Sequence, residues 1–289
     1  MNESWWQKQE SGKPLFPDIL WSKPENRDFA GRLAIIGGNA HSFAGVALAY
    51  KTALTVGVGK VRVIMPDVLK KVVCNTENPS RHPELVSGSI RFRNKFGMTI
   101  KNDDCFFAPS NPSGGLSKEA LPNLYAVAEW ADAMLFIGDS GQNSETAALA
   151  ETFLSQDQTT PVVITRDAVD LVKNIGENLL NRGATHLIVS LNQLQKIFQS
   201  VYYPRVVMFS QGVKQVAETL HKFTTTYPVM LTLWHGENLF VAHGGRVITQ
   251  PFAQPLRIWS GELAVRQTAW QIWNPKKTVE AIVTSWTEM

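Results

Sequence analysis

Four short stretches of this chain combine residue types that could do chemistry with a spacing that would aim them at one place. "GGNAHSFAG", residues 37–45, sets Gly37 and Gly38 directly after an apolar run. Glycine lets backbone amides approach a ligand closely; it equally serves a tight corner that needs positive φ. "IGDSGQNSET", 137–146, sets Gly138 and Gly141 around Asp139 at a strand-to-helix turn. Free amides at a helix start can hold an anion. Asp139 would oppose a phosphate there unless a metal intervened, and a plain turn capped by Asn143 or Ser144 is the alternative. In "TRDAVDLV", 165–172, Asp167 follows a strand and precedes a helical pattern, as a ligand contact or as an N-cap. In "IWSGELAVRQTAWQIW", 258–273, Ser260-Gly261-Glu262 precedes an apolar helix. A carboxylate at a helix start serves as a general base where burial tunes it, and otherwise complements the helix dipole.

These segments match neither G-x-x-x-x-G-K-[ST] nor G-x-G-x-x-G, and no G-x-S-x-G elbow occurs. The six histidines show no H-x-x-x-H spacing, so no metal site is expected.

The elements that must carry the four segments alternate. Apolar runs predict strands at 32–36, 61–65, 133–137, 161–165 and 185–190, with helices between them. Ala47, Tyr50, Ala53, Leu54 and Gly57 fall on one helix face, and 117–131, 144–155 and 211–222 also read as helices. Such alternation predicts an α/β fold, a mostly parallel central sheet with helices on both faces. In an open sheet of that kind ligands bind beyond the carboxyl ends of the strands, where all four segments would meet. After Pro228 the pattern becomes two or three antiparallel strands, and two helices close the chain. "SIRFRNKF", 89–96, alternates as a half-buried edge strand, with a nucleic-acid stripe as the sharper alternative. Residues 1–29, bearing Trp5, Trp6 and Trp21, read as a tail lying over a single domain of residues 30–289.

Composition sets the bounds. The 289 residues are 44% hydrophobic and 18% charged, enough for a sizeable core. A net charge of +3 is too weak to imply nucleic acid. No run of apolar residues is long enough for a membrane span, and the N-terminus does not look like a secretory signal. With two cysteines read as reduced thiols, a cytoplasmic protein is expected, with no nucleic-acid or membrane partner.

Taken together, residues 28–275 resemble the ribokinase-like superfamily, and most closely its ADP/ATP-dependent NAD(P)H-hydrate dehydratases. The most specific part is "DFAGRLAIIGGNAHSFAGVALAYKTALTVGVGKVRVIMP", with its Gly-Gly turn, alanine-rich helix and Gly-x-Gly. His82-Pro83-Glu84-Leu85 resembles the family's Pro-Glu segment, Ile137 through Gln142 its glycine-rich turn, and Thr165 through Val169 its Asp-Ala-Asp segment. The resemblance implies a ribokinase-like three-layer α/β/α sandwich and repair of hydrated NAD(P)H with ATP or ADP and Mg2+. It further implies assembly into a homo-oligomer. It would make Glu262 the catalytic base. Ser260, Gly261, Asn192, Gln195, Gly138 and Gly141 would face the nucleotide, and Gly38, Asn39, His41, Glu84 and Asp167 the substrate.

The departures from the family pattern cluster at the chemistry. Gly-Gly-Ser/Thr-Gly-Asp aligns with Ile258-Trp259-Ser260-Gly261-Glu262, so two glycines have become bulky. Gln195 stands where the family has Glu, and Thr232-Leu233 where it has Lys-Gly. An inactive nucleotide-binding or scaffold homologue is therefore one alternative, and a vitamin-precursor kinase another.

Overall fold

Short β-branched and aliphatic runs bounded by glycine and proline become strands, and the longer stretches with helical periodicity cover them. A computed structural model of the protein describes residues 4–74, 100–157 and 159–288. Its strands are β1 (Trp6–Lys8), β2 (Arg32–Gly37), β3 (Lys60–Pro66), β4 (Cys105–Ala108), β5 (Ala133–Gly138), β6 (Val162–Thr165), β7 (Thr185–Val189), β8 (Met230–His235), β9 (Asn238–His243) and β10 (Arg246–Pro251). Its helices are α1 (Pro17–Leu20), α2 (Ala44–Val56), α3 (Lys70–Cys74), α4 (Leu121–Trp130), α5 (Ser144–Gln156), α6 (Ala168–Val172), α7 (Glu177–Asn181), α8 (Leu191–Ser200), α9 (Val213–Thr226), α10 (Leu256–Trp259), α11 (Glu262–Trp273) and α12 (Thr278–Ser285).

All described strands join one sheet in the order β1-β10-β9-β8-β7-β6-β5-β2-β3-β4. Pairing is parallel from β8 through β4, while β8, β9 and β10 form the antiparallel meander expected after Pro228. Successive side chains of a strand point to opposite faces. Ala34 and Ile36 accordingly enter a core covered by α4 to α9. Leu33 and Ile35 enter one covered by α2, α11 and α12. The expected mostly parallel sheet between two helical layers is what the chain forms.

Two elements differ from the sequence expectation. Residues 6–8 do more than lie over the domain: β1 pairs in parallel with β10. Trp6 Nε1 donates to Thr249 Oγ1 at 3.1 Å, and Gln9 Nε2 reaches Gln250 Oε1 at 2.6 Å. Cys105–Ala108, absent from the predicted strands, is the edge strand beside β3. Gly57 ends α2 instead of extending its face, in the left-handed conformation at φ 104° usual for a helix terminator. The predicted strand at 89–96 lies outside the described residues. Among the described residues no helix is long and apolar enough to cross a membrane.

Candidate functional site

The site is built at the carboxyl ends of β2, β5 and β6. Gly37 is paired with Gly138 where the register between β2 and β5 shifts. A Cβ on Gly37 would collide with the carbonyl oxygen of Gly138, so glycine is required for the close approach of two backbones. Gly38 turns the chain at φ 88° and donates its amide to Gly138 O at 3.0 Å. The Gly37-Gly38 corner thus has a structural reason before any ligand is considered.

The turn after β5 is tied to its neighbours on both sides. Asn39 Nδ2 donates to Asp139 O at 2.5 Å, and Asn39 Oδ1 accepts from the amides of His41 and Ser42. On the other side Asp167 Oδ1 accepts the Asp139 amide at 2.9 Å. Gly138 is at φ 88°, and a Cβ there would strike Asp167 Oδ1. Asp167 therefore fastens the turn after β5 and makes no side-chain cap on α6. Asn143 caps α5, accepting from the Glu145 amide at 2.8 Å.

Asp139 and Arg166 occupy the middle of this arrangement. Asp139 Oδ2 accepts the amide of Gly45, in the first turn of α2, at 2.6 Å. Phe43, at the N-cap position of α2, supplies no side-chain cap, so a carboxylate 94 residues away takes that place. Asp139 Oδ1 pairs with Arg166 Nη2 at 2.8 Å, and both side chains are largely shielded from solvent. A Cβ on Gly45 would collide with Arg166 Nη1, so Gly45 leaves room for the guanidinium. A Cβ on Gly261 would lie 3.6 Å from Arg166 Cδ and 2.5 Å from Ile137 Cδ1. Arg166 thus passes between the starts of α2 and α11, which places both corners at the same end of the sheet. Gln193 Nε2 holds the Arg166 carbonyl at 2.7 Å.

In the turn before α11 two amides are already engaged. The amides of Ser260 and Gly261 donate to Leu256 O and Ile258 O at 2.9 and 3.0 Å. The Glu262 amide points to Ser260 Oγ at 3.4 Å. Glu262 Oε1 lies 3.1 Å from Arg266 Nε and 3.8 Å from Arg257 Nη1. Trp259 is half exposed on α10.

The sequence-derived candidates therefore separate into groups. Gly38, Asn39, Gly138, Gly141 and Asp167 come together around Asp139, with Gly141 at φ 71° and Asn39 Nδ2 3.6 Å from where its Cβ would be. His41 is exposed on the loop closed by the Asn39–Ser42 bridge. Ser260, Gly261 and Glu262 form the α11 corner beyond Arg166. Asn192 is exposed on α8, while Gln195, one residue beyond Leu194, donates to Val207 O. Glu84 lies outside the described residues. Sequence reasoning missed Arg166, Gly45 and Gln193. Only Gln193 carried a local signal, the Ser190-x-x-Gln193 capping box, which forms in full.

A transferring phosphoryl group does not fit these donors. The α2 start already holds a carboxylate, the Ser260 and Gly261 amides before α11 are bonded into α10, and Thr232 is buried against His186 where the family resemblance would put a cation. Among the described residues no three His, Cys, Asp or Glu side chains gather as a metal site.

No protein-family model matches the chain, and no curated protein does. Solved structures match over nearly its whole length. A ribokinase-like superfamily protein from Enterococcus faecalis gives a TM-score of 0.67 at 14% identity, covering 99% of this chain and 87% of its own. The ADP/ATP-dependent NAD(P)H-hydrate dehydratase of Bacillus subtilis, co-crystallised with ATP/Mg2+, gives 0.56 at 11% identity, covering 94% and 85%. A phosphomethylpyrimidine kinase from Clostridium difficile gives 0.50 at 10% identity, covering 88% and 95%. The chain has the ribokinase-like α/β fold.

Proposed function

We propose that this chain is a dehydratase-like protein of the ribokinase fold that binds a nicotinamide or adenine nucleotide at the carboxyl ends of β2, β5 and β6 without transferring phosphate. One observation carries this: Asp139, fixed by Arg166, occupies the α2 amide where an incoming anion would be held. Phosphoryl transfer depends on positioned donors and cations around the moving group. Here the Gly45, Ser260 and Gly261 amides are bonded within the chain and Glu262 lies between two arginines. The exposed His41 and Asn192 remain open to the ligand body. The ligand class comes from the sequence resemblance and from the B. subtilis dehydratase, whose fold is shared.

The test is thermal melting with NADP or ADP, together with an assay of hydrated NADH. Ligand binding to the native state raises the melting temperature. The expected result is an upward shift with at least one nucleotide and no return of 340 nm absorbance with Mg2+ and ATP or ADP. Absence of any shift overturns the binding half, and return of absorbance that Glu262→Gln abolishes overturns the other. An active dehydratase would then be the correct reading.

A further inference from the structure

A cleft lies at the opposite end of β3, away from the carboxyl-end site. It has a volume of about 480 Å³ and is lined by the start of β3, the end of α4 and the residues around β4. That size is in the range of small-molecule sites. Four cations line it, Arg27, Lys60, Arg62 and Lys101, against two carboxylates, Asp103 and Asp104.

Arg62 lies against two aromatic rings. Its guanidinium carbon is 4.1 Å from the centroid of Trp130 and 4.9 Å from that of Phe106. This follows from register: Ile64 pairs with Phe106 across β3 and β4, so Arg62 and Phe106 share a face of the sheet. Ring stacking orients a guanidinium and leaves its N–H edge for a bidentate acceptor. Among the described residues no carboxylate pairs with Arg62, Lys60 or Lys101. Asp104 is engaged otherwise, accepting from Tyr50 Oη at 2.5 Å. Phe106 is 42% exposed, so an aromatic surface borders the cations.

We infer that this cleft binds a nucleoside monophosphate. The excess of two positive charges matches a phosphate monoester dianion. The Arg62 fork suits phosphate oxygens, and the exposed Phe106 offers a stacking surface for the base. The cleft shares no residue with the carboxyl-end site and does not depend on the function proposed there.

Calorimetric titration of the full chain with AMP, ribose 5-phosphate and ribose tests this. AMP binds more tightly than ribose 5-phosphate, and ribose gives no heat of binding. Arg62→Gln weakens AMP by about tenfold or more and Arg62→Lys by less, because lysine keeps the charge and loses the fork. Lys101→Gln, an exposed change that leaves the fold intact, weakens AMP by about threefold. The melting shift given by NADP is the same in these variants as in the parent, which separates this site from the first. Absence of AMP binding, or AMP affinity unchanged in both Arg62→Gln and Lys101→Gln, overturns the proposal. Equal affinity for AMP and ribose 5-phosphate overturns the assignment of a base.

Discussion

Asp139 and Arg166 pair at 2.8 Å with both backbones in the left-handed region, at φ 56° and 57°. Neither is glycine, so each turn carries strain that the surroundings must offset. Arg166 is fixed from behind by Gln193 and Asp139 from behind by Asp167 and Asn39.

Arg166→Ala removes the pair and keeps the strain, with an expected loss of about 2 kcal/mol. Arg166→Gly also removes the pair but relieves the left-handed backbone, recovering about 1 kcal/mol. Urea denaturation of the two variants measures the difference. A glycine variant no more stable than the alanine variant contradicts the strain.

Asp139→Asn leaves Arg166 without its counter-charge next to the Gly45 amide. An anionic ligand then gains a cation at the closed corner. NADP affinity should rise by about fivefold, corresponding to roughly 1 kcal/mol. Unchanged or weaker binding, measured by titration of both proteins, contradicts the account of Asp139 as the occupant of that corner.

The glycines at the site are not equivalent. Gly37→Ala drives a Cβ into the Gly138 carbonyl, with Ile137 Cγ2 at 3.0 Å and Val46 Cγ2 at 3.2 Å, and neither backbone can move freely. A loss of about 3 kcal/mol is expected. Gly141→Ala meets only Asn39 Nδ2 at 3.6 Å and suffers its φ of 71°, a loss of about 1 kcal/mol. Denaturation midpoints that reverse this order would contradict the packing at the β2–β5 contact.

His186 makes stability fall with acid. Burial pushes its imidazole down to about 3, and neighbouring His243, itself lowered by burial, adds to the effect. Its Nδ1 accepts from Gln271 Nε2 at 2.8 Å, so Nε2 carries the proton and donates to Thr232 Oγ1 at 2.9 Å. The unfolded chain binds a proton near pH 6.5 and the folded chain does not. Stability from this group is therefore full above 6.5 and falls by about 1.4 kcal/mol per unit as pH drops from 6.5 toward 3. Denaturation between pH 7 and 4.5, where most carboxylates remain charged, measures the slope. His186→Gln should reduce it to the part that His243 contributes, and an unchanged slope contradicts a buried neutral imidazole.

The sheet was legible because β2, β3, β5, β6 and β7 are near-continuous apolar runs separated by helical periodicity, a pattern that few folds share. β4 was not, because Cys105–Ala108 is four residues of edge strand with an exposed Phe106, and β1 was not, because its partner β10 lies some 240 residues away. The same distinction holds at the site. Gly37, Gly38, Gly138 and Asp167 announce themselves as turn residues. Arg166 does not, since its partner Asp139 and the space left by Gly45 are properties of three different turns brought together by the parallel sheet. Gln193 was readable from its capping box, but its bond to the Arg166 carbonyl was not.

The most direct measurement is absorbance at 340 nm after hydrated NADH is mixed with the protein, Mg2+ and either ATP or ADP. With the Asp139–Arg166 pair on the α2 amide, and Glu262 held by Arg257 and Arg266, the trace stays flat at the rate without protein. A return of absorbance that depends on nucleotide and disappears in Glu262→Gln would show that the corner opens and transfers phosphate after all.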